Sequence, residues 1–247
     1  MKVKLISFTK WPEETCTEAA CVCYDKKFTD IEGATERDKY LTSIINSGHL
    51  SIVEHANFTF MVEGVSRALT HQLVRHRIGI SFAQQSQRYV KLDKPTYVIP
   101  ESIRDCETQL FEENYGGYNM PEGSEYYKVA GTGISALEAF EEHMKWTWEL
   151  YEELLNVGVP AEDARFVLPN GCTTNIVITA NARELLHIYS LRCCEKSQWE
   201  IRDLANQMLE LCKQVAPTIF AKAGPSCVRG PCPEGKKSCG NPKTINI

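Results

Sequence analysis

The chain has 247 residues, 43% of them apolar, which is enough for one large domain or two small ones. Its 27 basic and 32 acidic residues give a formal net charge of −5, which argues against non-specific nucleic-acid binding. No run of eighteen apolar residues predicts a membrane-spanning helix, and the apolar part of the N-terminus is too short for a signal peptide. We therefore expect a cytoplasmic globular protein with neither nucleic acid nor membrane as a partner.

The first half of the chain alternates strand and helix signals. We predict a strand at 3–8, a helix at 12–23, a helix at 36–47 ended by Gly48, and a strand in which Phe58, Phe60 and Val62 alternate. His49, Glu54 and His55 precede that strand and suggest a metal site, but the His-x5-His spacing does not place both rings on one helical face. A polar turn before a strand is the simpler interpretation.

A basic stretch at 72–89 dominates the chain. It holds three arginines, a histidine, two serines and four glutamines, with no acidic residue. Arginine binds phosphate or carboxylate oxygens two at a time, so the stretch favours an anion site. We predict the end of a helix capped by Ser66, then a loop, with Gly79 as the helix stop. The alternative is that Arg75, His76 and Arg77 only complement the helix dipole.

The second half is mostly helical. We predict a strand at 97–100, a helix at 101–113, a loop at 114–131, an amphipathic helix at 134–157 whose aromatic stripe is core or subunit interface, a strand at 173–180 and a helix at 181–192. Arg183 and His187 share one face of the last helix. Arg165, among apolar neighbours, needs either a salt bridge or a phosphate ligand.

The eleven cysteines do not suit a disulfide framework, which belongs to small secreted domains. The eight up to Cys212 are expected to be mostly buried thiols. Cys227, Cys232 and Cys239 lie in a tail rich in glycine and proline, and their spacing does not match a Cys-x-x-Cys zinc site. We expect a reduced, exposed tail; a metal site shared with Cys212 and ordering against a neighbouring subunit are the alternatives.

Several segments resemble the flavin-dependent thymidylate synthases. They include Arg75-His76-Arg77, a spacer, then Ser86-Gln87-Arg88-Tyr89; the spacer has eight residues where the family usually has seven, and we place the extra one at 78–80. The other segments are Gly48-His49-Leu50-Ser51-Ile52-Val53-Glu54-His55, Ala164-Arg165 to Leu168-Pro169, Asn181-Ala182-Arg183 with His187, and Leu191-Arg192. The resemblance covers the chain from about Leu5 to Phe220. Cys23 stands where the family often has serine, and Gln84 where it often has glutamate.

The resemblance implies an α+β fold: a single domain with a central, mostly antiparallel sheet packed by helices, at residues 1–222, with a separate tail at 223–247. It implies a homotetramer with sites shared between subunits. The implied reaction is reductive methylation of dUMP to dTMP, with methylenetetrahydrofolate as carbon donor and FAD, reduced by NADPH, as hydride carrier. The alternative is a non-enzymatic module that binds nucleotides or acidic ligands.

The resemblance also implies site residues. Arg192 is the catalytic candidate, stabilising ionised uracil, against the simpler role of complementing the helix dipole. The FAD-binding candidates are His49, Ser51, Glu54, Arg75, His76, Arg77, Gln84, Asn181, Arg183 and His187. The dUMP-binding candidates are Gln72, Arg75, Gln84, Gln85, Ser86, Gln87, Arg88, Arg165 and Arg192. No metal is expected. Glu184, which lies between Arg183 and His187 in the sequence, is expected to point off the face that those two residues share.

Overall fold

The computed structural model describes residues 1–92, 94–106, 109–110 and 134–243. The chain divides into two units, one of residues 1–84 and 174–247 and the other of residues 85–173. The predicted loop at 114–131 lies outside the described residues. No helix in the described ranges is long and apolar enough to cross a bilayer.

The first unit contains most of the regular structure. Its elements are β1 (Lys2–Phe8), α1 (Pro12–Cys23), α2 (Gly33–Asn46), β2 (Asn57–Ser66), α3 (Arg67–Leu73) and β3 (Ile80–Gln84), with short 3-10 helices at Phe28–Asp30 and Leu50–His55. In the second unit lie α4 (Glu101–Arg104), β4 (Gln109–Leu110), β5 (Ile134–Ser135), α5 (Ala136–Asn156), α6 (Ala161–Ala164) and a 3-10 helix at Arg165–Val167. The chain then returns to the first unit through β6 (Thr173–Asn181), α7 (Ala182–Arg192), α8 (Trp199–Val215) and 3-10 helices at Ser226–Val228 and Gly235–Lys237.

The sheet of the first unit has the strand order β1-β2-β6-β3. β1 pairs antiparallel with β2, and β3 pairs antiparallel with β6. Phe58, Phe60 and Val62 are buried, as their alternation predicts, and they pack with residues of β6, α7 and α8 in one hydrophobic core. The predicted α+β class and the antiparallel sheet are therefore confirmed.

A buried carboxylate joins α8 to the start of α3. The Ser66 hydroxyl accepts the Leu69 N–H at 3.0 Å, which confirms the predicted N-cap. The same hydroxyl donates to Glu200 at 2.5 Å, and the Ser66 N–H donates to the other Glu200 oxygen at 2.7 Å. Because Glu200 is only 3% exposed, these bonds and the positive end of α3 stabilise its charge.

The secondary structure predicted for the basic stretch at 72–89 was partly wrong. α3 stops at Leu73, so the Arg-His-Arg triplet follows the helix and does not close it. The segment read as a loop contains β3, an edge strand in which Ile80 and Phe82 are half-buried between exposed residues. Five residues with two serine or glutamine side chains carry too little apolar signal to be read as a strand from sequence alone.

Two predicted elements of the second unit also differ from the structure. The strand at 97–100 is a single bridge between Tyr97 and Cys172, and the helix at 101–113 extends only to Arg104 within the described residues. By contrast, α5 matches its prediction within two residues at either end. Its buried Met144, Trp148 and Tyr151 confirm that the aromatic stripe belongs to a core.

Gly79 allows the turn between α3 and β3 to lie against the start of α7. Its φ of 69° suits glycine, and a Cβ there would lie 2.4 Å from the Asn181 amide nitrogen. The Asn181 side chain caps α7 by accepting the Glu184 N–H at 2.9 Å. A side chain at residue 79 would therefore displace the cap.

We expect Gly79→Ala to lower the free energy of unfolding more than Gly48→Ala does. Gly48 is a matched control because its φ is 82° and no atom lies within 4 Å of its Cβ position. Backbone strain should lower the free energy of unfolding of both variants by about 1–2 kcal/mol. Gly79→Ala should lose roughly 0.5–2 kcal/mol more, because the Asn181 cap is displaced. Urea unfolding of both variants measures the difference; equal losses would contradict the role given to the Asn181 contact.

Candidate functional site

Two exposed arginines flank a buried histidine in the turn after α3. The Arg75 and Arg77 side chains are exposed, whereas His76 is 6% exposed. Neither arginine side chain forms a hydrogen bond or an ion pair within the described part of the chain. Their donors are therefore available to an anionic ligand.

The His76 ring lies between two residues of α7. Its Nδ1 is 3.0 Å from a Glu184 carboxylate oxygen, and its Nε2 accepts the Arg192 Nε–H at 3.2 Å. Burial, reinforced by the Arg192 cation and by His187, lowers the pKa of His76 to about 4. The ring is therefore neutral near pH 7, and its contact with Glu184 is a hydrogen bond from a neutral imidazole.

Arg192 is held at the end of α7 by neutral partners. Besides His76, its Nη2 donates to the Gln72 carbonyl at 3.4 Å. Burial and the nearby Arg75 cation lower the pKa of Arg192. The charge of Arg192 has no carboxylate partner among the described residues, so an anion beside it would gain attraction that the protein does not cancel.

His187 completes a cluster around His76. Ligand atoms of His76, Glu184 and His187 lie within 4.8 Å of one another, and the two imidazole rings meet edge to face at 5.7 Å. A metal would need a free lone pair on His76. However, Nε2 already accepts a hydrogen bond from Arg192, and Nδ1 carries the proton that it donates in its hydrogen bond to Glu184. We therefore assign no metal to this cluster.

Three predicted flavin residues lie on the exposed side of the turn before β2. His49, Ser51 and Glu54 are all exposed, and Glu54 forms an ion pair with Arg183 at 2.5 Å. A backbone hydrogen bond from Ala182 to Ala56 ties this turn to the start of α7. The fold thus brings together residues from two separate sequence blocks, and Arg183 and His187 share the exposed face predicted for them.

The predicted glutamine and asparagine residues of the first unit make internal contacts. The Gln84 amide donates to the Thr70 and Thr174 hydroxyls at 3.1 and 3.3 Å. The Gln72 amide donates to the Ala68 carbonyl, and Asn181 caps α7. These contacts fix the side chains locally.

The second unit holds the remaining candidates. The Ser86 hydroxyl accepts the Arg88 N–H at 3.1 Å, and Arg88 forms an exposed ion pair with Glu162 at 2.5 Å. Arg165 donates its Nε–H to the Glu162 carbonyl at 2.9 Å. Arg88 and Arg165 therefore both contact Glu162; Gln85 and Gln87 lie half-buried in the same stretch.

Sequence reasoning missed two glutamate contacts of the candidate residues, those of Glu162 and Glu184. Glu184 was expected to lie off the ligand-facing side of its helix; it is indeed buried, and it contacts His76. A glutamate next to Leu185, on the apolar face of a helix, needs a buried partner, and that requirement was the available signal. Nothing in the sequence indicated that Glu162 would contact both Arg88 and Arg165.

The tail packs on the last turn of α7 and on the segment that follows it. Lys196 contacts Glu234 and the Lys237 carbonyl, Lys243 pairs with Glu195, and the Ser226 hydroxyl donates to the Ser190 carbonyl.

All eleven cysteines are free. Cys212 is buried beside the Tyr189 hydroxyl, and no cluster with the tail thiols occurs among the described residues. Five of the eight cysteines expected to be mostly buried are buried, whereas Cys23 is exposed.

The family model described as thymidylate synthase complementing protein matches residues 4–218. Relatives described as flavin-dependent thymidylate synthases include proteins of Geobacter sulfurreducens, 44% identical with 97% of this chain and 94% of that protein covered, and of Pyrococcus furiosus, 44% identical with 95% and 90% covered. The chain belongs to the flavin-dependent thymidylate synthase family. A crystal structure of the UMP/dUMP methylase PolB from Streptomyces cacaoi bound with 5-Br dUMP is similar, with TM-score 0.69, 25% identity, and 89% of this chain and 93% of that chain covered. Family membership confirms the resemblance and gives no support to a non-enzymatic module.

We expect His76 to remain neutral at pH 6 in the folded protein and to titrate near pH 4, because it is buried beside a cation. An unfolded histidine takes up its proton near pH 6.5. Between those values the unfolded chain binds more protons, so acidification destabilises the fold through this group, and the loss levels off below about pH 4. Nitrogen-15 NMR of labelled histidine measures the titration. A His76 that protonates at pH 6.5 or above would contradict the arrangement.

Proposed function

We propose that the protein converts dUMP to dTMP by reductive methylation, at a site that includes the turn after α3 and the exposed face of α7. The family match over residues 4–218 supports the reaction. The observation that carries the placement of the site is the pair of exposed arginines, Arg75 and Arg77, with no side-chain partner among the described residues. They flank His76, whose ring orients Arg192. Arg192 is a third cation, and it has no carboxylate partner among the described residues.

The residues of the first unit fit FAD, whose diphosphate is anionic. Arg75, Arg77 and Arg183 supply charged donors; His49, Ser51, Glu54, Gln84, Asn181 and His187 would complete the FAD set. The Arg183–Glu54 pair is about half exposed, and such pairs contribute only about 0–1 kcal/mol, so a phosphate can replace the carboxylate at little cost. Because both nitrogens of His76 are engaged inside the protein, we assign it the orientation of Arg192 and not a phosphate.

When bound, FAD reduced by NADPH supplies the hydride, and methylenetetrahydrofolate supplies the carbon. The contribution of the protein is binding, orientation and electrostatics. Uracil becomes a better carbon nucleophile when it loses its N3 proton, and Arg192 would stabilise the resulting negative charge.

The dUMP candidates of the second unit are Ser86, Gln85, Gln87, Arg88 and Arg165. Those of the first unit are Gln72, Arg75, Gln84 and Arg192. Ser86 has no adjacent base among its contacts, so it suits phosphate binding and not nucleophilic attack. Arg88 is paired with Glu162 at the surface, and a dianionic phosphate is a stronger partner for it than one exposed carboxylate. The dUMP analogue bound in the similar methylase supports dUMP as the substrate class.

Homotetrameric assembly with shared sites is also part of the proposal. Exposed apolar side chains adjoin the candidate residues in the chain: Ile78 follows the triplet, Tyr89 follows Arg88, and Phe166 follows Arg165, each about 80% exposed. Burying such side chains between subunits is favourable. A cytoplasmic location remains a prediction.

The direct test is an assay of purified protein with dUMP, methylenetetrahydrofolate and NADPH. The proposal requires a flavin absorption spectrum and the formation of dTMP that depends on all three compounds. A colourless protein that forms no dTMP after reconstitution with FAD would refute it.

We expect Arg77→Ala to purify largely without flavin. One charged hydrogen bond contributes about 1.5–3 kcal/mol, so its loss weakens FAD binding roughly tenfold to a hundredfold. Lys39→Ala, on the exposed surface of α2, removes the same charge away from the site and should keep the wild-type flavin content. The absorbance ratio of flavin to protein measures both variants. Stoichiometric FAD with unchanged affinity in Arg77→Ala would show that the triplet is misassigned.

A further inference from the structure

We infer that Glu184 is a positioning residue for Arg192 and acts through the ring of His76; this inference rests on the proposed function. Glu184 lies in the first turn of α7, and Arg192 is the last residue of the same helix. Eight residues of helix separate them by about 12 Å, so they cannot touch directly. His76, from the turn after α3, bridges the gap with one hydrogen bond to each.

The direction of each hydrogen bond follows from the chemistry of the donors. Arg192 Nε–H can only donate, so His76 Nε2 must be without a proton. A neutral imidazole then carries its proton on Nδ1 and donates it to the Glu184 carboxylate. Glu184 therefore selects the one tautomer that leaves Nε2 free to accept from Arg192.

Burial makes this selection strict. His76 and Glu184 are 6% and 9% exposed, so water cannot replace a lost partner at little cost. Without the carboxylate, the Nδ1–H would be buried and unpaired, and the ring would gain stability by taking the other tautomer or by rotating. Either change removes the acceptor that holds Arg192 Nε.

The anchoring leaves part of the guanidinium free. Of five N–H donors on an arginine, Nε bonds His76 and one Nη2 hydrogen bonds the Gln72 carbonyl. The remaining donors can face an anion. Since neither anchor is charged, the positive charge remains available to the substrate, whereas a carboxylate bound directly to Arg192 would cancel it.

The test is a double-mutant cycle on the FAD-loaded enzyme, with kcat for dTMP formation measured in Glu184→Ala, Arg192→Ala and the double variant. We expect Glu184→Ala to lower kcat about tenfold to a hundredfold, the scale of one hydrogen bond to a charged group. FAD content and flavin reduction by NADPH should stay normal. The double variant should be no slower than Arg192→Ala, because both changes remove the same function. The inference would be overturned if the two reductions of kcat multiply in the double variant, or if Glu184→Ala has the wild-type kcat.

Two further variants separate positioning from general damage. Glu184→Gln keeps an oxygen that accepts from Nδ1–H, so its kcat should lie nearer to wild type than that of Glu184→Ala. If the alanine variant does not fold, Glu184→Leu takes its place in the cycle, because leucine fills a similar volume and has no acceptor. Glu210→Ala removes an exposed glutamate from α8 and should leave kcat, FAD content and flavin reduction at their wild-type values.

Nitrogen-15 NMR of His76 tests the geometry without any need for activity. The wild-type protein should have a protonated Nδ1 and a bare Nε2, and Glu184→Ala should lose that single tautomer. A wild-type Nε2–H tautomer would overturn the inference even if the enzyme makes dTMP. The expected tautomer in a protein that makes no dTMP would instead locate the failure in the proposed function.

Discussion

The burial of the His76 ring is the constraint on which the site depends. The buried ring packs the turn between α3 and β3 against α7, where it contacts Glu184 and Arg192. Its neighbours Arg75 and Arg77 then lie at the surface. Gly79 and Asn181 hold the other end of the turn through a close contact and a backbone hydrogen bond. These contacts hold a short loop of charged residues as a preorganised binding surface.

Three of the candidate cations show two kinds of electrostatic environment. Arg88 and Arg183 each pair with an exposed glutamate, and such pairs are weak enough for a ligand to displace. Arg192 is half-buried and held by a neutral ring and a carbonyl, so its charge is oriented without being cancelled. The first class suits the binding of phosphates. The second suits stabilisation of negative charge that develops during a reaction, because the protein does not have to reorganise when that charge appears.

Local patterns predicted most of the fold. The alternation of Phe58, Phe60 and Val62, the β-branched run of β6 and the Ser66 cap each act within a few residues, so the sequence reveals them. The edge strand β3 was missed because its stability comes from pairing with β6, about 100 residues away. The candidate residues were likewise identified from their types, whereas Glu162 as the partner of Arg88 and Glu184 as the partner of His76 were not. A side chain's type is local information, but its contacts depend on tertiary structure.

The central claim is that the uncancelled charge of Arg192 acts on the ionised uracil and not on flavin binding. Arg192→Ala separates these two roles when FAD content, flavin reduction by NADPH and dTMP formation are measured on one preparation. We expect the first two to remain normal while dTMP formation falls by roughly a hundredfold or more, the scale of one preorganised electrostatic contact. Near-normal dTMP formation would contradict the account and leave Arg192 only a favourable interaction with the dipole at the end of α7.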